Sequence, residues 1–143
     1  MYDVAVLAEQ PLSAIDATQV TRLHEGLDEP VLYHLLVPGD TAATTAGAEL
    51  LQAQGGRRGH DAVAEPDGDS DPDDPVDALV QVVERTGAVE VIVLTASHPV
   101  RETLHRDWAS QVRRRLDLPT LHLLEHESFE EQSAGRGEGN QLL

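Results

Sequence analysis

The sequence predicts an α/β domain built on a parallel sheet with helices on both faces. Three observations carry this. Short apolar, β-branched runs alternate along the chain with stretches of helical period, in the order β-α-β-α-β-α-β-α-β. That alternation is the signature of parallel strands joined by helical crossovers. The run VEVIVLTA at residues 89–96 is nearly continuous in its apolar character, as a strand covered on both sides must be. Finally, the turn chemistry falls between these runs rather than inside them.

The first strand is read at Tyr2 to Ala8, YDVAVLA. Leu12, Ile15, Val20, Leu23 and Leu27 then share roughly one helical face, so the first helix is expected within residues 12–27, closed by Gly26 and the DEP turn. VLYHLLVP at 31–38 is the second strand and stops at Pro38-Gly39. Asp40 or Thr41 can cap the second helix, which runs to Gly55-Gly56. DAVAE at 61–65 is a short third strand. Asp74-Pro75 predicts an N-cap followed by proline at the first helical position, with Gly87 as the C-cap. Residues 89–96 form the fourth strand and PTLHLL at 119–124 the fifth. Between them Val100, Leu104, Trp108, Val112 and Leu116 repeat every four residues.

Composition narrows the function classes. The 143 residues suit one domain, placed at 1–124, and aromatics are only 3 %, so the core must come from Leu, Val and Ala. The absence of cysteine removes thiolate catalysis, disulfides and Cys-type zinc sites. No apolar run approaches the ~20 residues of a membrane span. A cytoplasmic protein is the expectation. The formal charge is −16, and residues 65–77 and 125–143 together supply 11 of those charges. Such a surface repels nucleic acid and anionic lipid, so neither is an expected partner. The segment 125–143 lacks an apolar period and is predicted to be a flexible acidic tail.

Three local patterns, DDPVDALVQVV, VEVIVLTAS and RDWASQVRRRLDLPTLHLL, together with this layout resemble the universal stress protein family over residues 2–124. The resemblance implies the strand order 3-2-1-4-5, a ligand crevice between the ends of strands one and four, and a homodimer paired through the last strand, at Thr120, Leu121, His122 and Leu123. It also implies a turn near 103–106 and a final helix starting at Asp107, against the single helix over 99–116 that the four-residue stripe favours; the break is the expectation.

ATP-binding members carry G-x2-G-x9-G-[ST] after the fourth strand, where glycines let backbone N–H groups approach phosphates. That pattern is absent here: no glycine lies between Gly87 and Gly135, and the closing pair falls at Arg106-Asp107. The family's aspartate after the first strand is also missing, with Glu9 the nearest acid. No cofactor is therefore expected, and ATP binding should be weak or nil.

Crevice candidates are Ala8 and Glu9, then Ser97, His98, Arg101, Arg106 and Asp107. In SHPVRETLHRDW two readings stay open. Arg101 and Arg106 converge with a helix N-terminus on a small anion, or the stretch is a solvated helix lead-in. Arg113 to Arg115 compensate a helix dipole, Trp108 is core, and His34 and His122 are core or edge histidines. DGDSDPDD at 67–74 lacks EF-hand spacing and reads as a solvated acidic loop, and the seven histidines show no zinc spacing. No nucleophile elbow, P-loop or GxGxxG is present, and the His105/Asp107 pair is two residues apart. The expected function is a non-enzymatic binding or regulatory protein that holds a small anion or a partner protein. The alternatives are a divergent nucleotide binder with weak ATPase activity and a small enzyme acting on a phosphorylated metabolite.

Overall fold

A computed structural model describes residues 1–56, 59–66, 75–96 and 107–125. Their elements run β1 (Tyr2–Ala8), α1 (Ala14–Arg22), β2 (Val31–Leu36), α2 (Thr41–Gly55), β3 (Asp61–Ala64), α3 (Val76–Thr86), β4 (Glu90–Thr95), α4 (Asp107–Arg115) and β5 (Thr120–Leu124). The five strands form one parallel sheet in the order β3-β2-β1-β4-β5. The register places Val6 beside Leu35 on one side and Ile92 on the other.

Strand alternation builds two cores, because successive side chains point to opposite faces. Val4, Val6 and Ala8 pack with Leu35, Ile92 and Leu94 against Val20 of α1 and Leu51 of α2. Ala5 and Leu7 pack with Val91 and Val93 against Leu79 and Val83 of α3 and Trp108 and Val112 of α4. Val4 to Ala8 are wholly buried, which explains why β1 reads as an unbroken apolar run. The α1–α2 layer sits close to the sheet at Gly47. A Cβ there would lie 2.5 Å from the Leu35 side chain and 3.2 Å from that of Leu12.

Local chemistry explains the element ends. Ser13 Oγ accepts from Asp16 N at 3.2 Å while Asp16 Oδ2 accepts from Ser13 N at 2.9 Å, a reciprocal capping box. Asp40 Oδ1 accepts from Ala43 N at 2.9 Å and caps α2. Gly87 closes α3 with φ 75°, a left-handed conformation that a side chain would strain.

Two boundaries depart from the sequence reading. The first helix ends at Arg22 rather than near Gly26, because the following N–H groups of Leu23, His24 and Glu25 bond three residues back, to Val20, Thr21 and Arg22. Helix α3 begins at Val76, with Pro75 in the N-cap position. Asp74, the expected cap, lies outside the described residues. Helix α4 is described over Asp107–Arg115; residues 97–106, on which the choice between a break and one helix over 99–116 turns, lie outside the described set, as do the acidic loop 67–74 and residues 126–143.

The two sheet edges are dressed differently. Glu65 N bonds Leu35 O, so by alternation the backbone N–H and C=O groups of Ala62 and Ala64 face the open edge of β3. Asp61 Oδ1 accepts the Ala62 N–H at 2.8 Å and Gln52 Nε2 donates to Ala62 O at 2.8 Å. On the opposite edge Arg113 Nη2 donates to Thr120 O at 3.1 Å.

Candidate functional site

The chain leaves β1 toward β2 and later crosses back to β4, so the ends of β1 and β4 form the topological switch point where open parallel sheets take ligands. Ala8, the last residue of β1, is wholly buried. Glu9 N continues the ladder onto Leu94 O at 2.9 Å. The Glu9 side chain then crosses the seam, and its Oε1 accepts the Ala96 N–H at 2.7 Å. One residue on, Gln10 N donates to both carboxyl oxygens of Glu125, each at 3.1 Å. Glu125 is placed for this by its own N–H, which bonds Thr95 O at 2.8 Å as a continuation of the β4–β5 ladder.

These contacts make the end of the sheet unusually acidic. Glu125 is 2 % exposed and Asp16, at the start of α1, is 1 % exposed. Burial is the main influence on Glu125 and raises its pKa; the neighbouring charges of Asp16 and Glu9 add to this, and the Gln10 N–H opposes it. The net result is a carboxyl pushed up to about 9, so Glu125 keeps its proton at neutral pH.

Of the sequence-predicted crevice residues, the structure brings Ala8 and Glu9 to this seam. Asp107 opens α4. Ser97, His98, Arg101 and Arg106 lie outside the described residues. Gln10, Asp16, Glu125 and Thr95 were missed. Glu125 had been assigned to the tail, although its alternation with Leu121 and Leu123 was a usable signal, since a strand that continues one residue carries its side chain to the same face.

On β5, Thr120 to Leu123 pair with Val91 to Leu94. Leu123 enters the core at 4 % exposure and Leu121 stays 37 % exposed. His122 Nε2 lies 2.7 Å from Thr95 Oγ1. A hydroxyl–imidazole pair is the beginning of a nucleophile, but Thr95 is 2 % exposed and its hydroxyl is not presented to a substrate.

Two further polar networks lie away from the seam. His34 is buried as the sequence reading held, and its Nε2 and Nδ1 face Asp3 Oδ1 at 2.9 Å and Glu65 Oε2 at 2.8 Å. Arg85 Nη2 donates to Glu65 Oε1 at 2.6 Å. Burial pushes the Glu65 carboxyl up, but Arg85 and His34 together outweigh it and hold its pKa below the ordinary value. At the opposite end of the sheet Tyr2 O–H donates to Glu90 Oε1 at 2.7 Å, His24 Nε2 donates to Glu90 at 3.1 Å, and His24 Nδ1 lies 2.9 Å from the Tyr33 hydroxyl. Among the described residues no group of three or more His, Asp or Glu is placed to hold a metal ion. No described helix is long and apolar enough to cross a membrane.

No family model matches the sequence, and no curated protein does. Solved structures do match the fold. One is a universal stress protein in complex with cAMP, 16 % identical, with a TM-score of 0.54, covering 87 % of this chain and 98 % of that one. Another is a universal stress protein from Archaeoglobus fulgidus, 15 % identical, with a TM-score of 0.53, covering 85 % of this chain and 98 % of that one. The chain has the universal stress protein fold, with its five parallel strands in the order 3-2-1-4-5.

Proposed function

We propose that this chain is a universal stress protein-like binding or regulatory protein that does not hold ATP in a glycine-lined phosphate cradle. One observation carries the reading. The backbone N–H groups of Ala96 and Gln10, at the seam where a phosphate chain would lie, are occupied by Glu9 and Glu125. A triphosphate meets side-chain oxygens there instead of free donors, and oxygen lone pairs set against phosphate oxygens repel. The missing G-x2-G-x9-G-[ST] pattern supports the same conclusion independently.

The reading includes no catalytic step, because the Thr95 hydroxyl of the hydroxyl–imidazole pair beside the crevice is buried. Its cargo is a small anion held by Arg101 and Arg106 or a partner protein. It also includes a cytoplasmic homodimer paired through β5, where Leu121 stays 37 % exposed on the strand edge. Light scattering at tens of micromolar should return twice the mass of 15.5 kDa; a monomer would remove the dimer from the reading.

The test of function is calorimetry on the wild-type chain with MgATP, cAMP, phosphate and sulfate. MgATP is expected to bind in the high micromolar range or more weakly, that is, with less than about 6 kcal/mol of binding free energy. Phosphate or sulfate binding that weakens with salt and with Arg101→Ala or Arg106→Ala would assign the cargo. Low-micromolar MgATP binding would overturn the reading. A second reading, a divergent nucleotide binder with weak ATPase activity, is favoured by one observation: a protein of this fold has been solved with cAMP. Saturable cAMP binding would select it.

A further inference from the structure

Peptide N–H groups at the carboxyl ends of parallel strands are natural anion donors. Two of them flank the β1–β4 seam here, and each is bonded to a glutamate carboxyl group of the same chain. A carboxyl group presents the same oxygen edge as a phosphate or a ligand carboxylate. Each contact therefore has the donor geometry of an anion complex, with an occupant that is covalently attached. Neither carboxyl reaches the seam by accident of a loose loop. Glu9 is fixed by its own N–H on Leu94 O, and Glu125 by its own N–H on Thr95 O.

Resting on the reading above, we propose that these contacts are autoinhibitory: Glu9 and Glu125 fill an oxyanion subsite formed by the Ala96 and Gln10 N–H groups, and withdrawal of Glu9 opens it to a phosphate-sized anion. The two plugs differ in depth. Glu125 is buried and keeps its proton at neutral pH, so it holds Gln10 without adding a charge. Glu9 is partly exposed, so it is the movable member, and its 2.7 Å bond to Ala96 N is what a ligand must replace. Its hold is a matter of tethering. A group on a short tether acts at an effective concentration of about millimolar or above. Free phosphate of comparable intrinsic affinity cannot displace it at lower concentration. Removing the tethered competitor removes that barrier and also one of the negative charges facing the site.

The experiment uses the full chain and backbone amide NMR during titration with inorganic phosphate, in wild type, Glu9→Ala and Glu9→Gln. The Gln10 and Ala96 amides report the site directly. Alanine cannot reach the Ala96 N–H, whereas glutamine still offers it an oxygen, so contact and charge are separated. The expected result is a saturable Ala96 shift in E9A with an apparent Kd at least about tenfold below that of wild type, while E9Q stays close to wild type. Should E9A lose native amide dispersion, Glu9→Ser carries the same comparison. A folded E9A or E9S whose Ala96 amide ignores phosphate up to roughly tens of millimolar would overturn the proposal. So would equal Ala96 shifts in wild type and a folded E9A. Either failure leaves the proposed function standing as long as wild-type calorimetry still shows no tight MgATP binding.

Discussion

Two glutamates at opposite ends of the same sheet show what separates a structural carboxylate from an unsettled one. Glu90 opens β4 and is met by a phenol and an imidazole, Tyr2 at 2.7 Å and His24 at 3.1 Å. Glu125 follows β5 and is met by one peptide N–H, with Asp16 and Glu9 nearby. Burial pushes both carboxyls up. At Glu90 the hydrogen bonds from His24 and Tyr2 and the His24 charge outweigh it, and the pKa falls below the ordinary value. At Glu125 no side-chain donor among the described residues opposes it, and the pKa climbs to about 9. One end of the sheet is electrostatically closed. The other keeps a cost, which is how binding sites commonly differ from scaffolds.

The sharpest way to break this comparison is the pH dependence of stability. A carboxyl whose folded pKa is raised contributes stability that is complete below its unfolded pKa, near 4.5, and is lost as pH rises toward about 9. Glu125 should therefore cost the fold on the order of 5 kcal/mol between pH 5 and pH 9. Glu125→Gln should flatten that slope in urea titrations at pH 5, 7 and 9. Parallel profiles for the two proteins would mean that Glu125 is solvated.

The opposite sign is expected at the other end. Glu90 and Glu65 have lowered folded pKa values, so their contribution is present above about 4.5 and is lost on acidification through the folded values. Glu90→Leu leaves His24 and Tyr2 without their acceptor and should cost about 3 kcal/mol at pH 7. Its cost should shrink as pH drops below 4; an unchanged cost at pH 3 would show that packing, not charge, is responsible.

A smaller effect isolates one bond of the same network. The hydrogen bond to Glu90, then burial, then the charges of Glu90 and Glu29 raise the Tyr2 phenol to about 12. In Glu90→Gln the phenol should titrate closer to 10.0, read by ultraviolet absorbance with Tyr33→Phe as background. An unmoved Tyr2 transition would remove Glu90 as the cause.

The smallest effect is the control. Arg115 and Asp77 form a 2.6 Å ion pair at 46 % and 75 % side-chain exposure. Arg115→Ala should change stability by less than about 0.5 kcal/mol, because exposed pairs are screened and entropically costly. A loss above 1 kcal/mol would show that distance, rather than burial, ranks the ion pairs of this protein.

The fold was legible because its determinants are periodic. Buried strands such as Tyr2 to Ala8 and Glu90 to Thr95 announce themselves as apolar runs, and Gly87 and Asp40 carry conformations that few other residues serve as well. The end of α1 was not legible, since Leu23 and Leu27 extend an apolar stripe whether the backbone bonds four residues back or three. The seam was legible only in part. Glu9 stood out as the acid after the first strand. Glu125 did not, because an acidic residue behind the last apolar strand has the composition of a solvated tail, and its burial depends on a partner N–H 115 residues away in sequence. His24 was hidden for the same reason: its value lies in Glu90, 66 residues on.

The sealed β3 edge has a consequence for assembly. With Ala62 already bonded on both its N–H and its carbonyl, by Asp61 and Gln52, a strand arriving on that side finds little ladder to extend. This is consistent with the proposed pairing through β5, where a two-fold contact would consume the surface that could recruit a third chain. In the proposed homodimer, edge chemistry on one flank would thus limit the stoichiometry available on the other, favouring a closed pair over a propagating sheet.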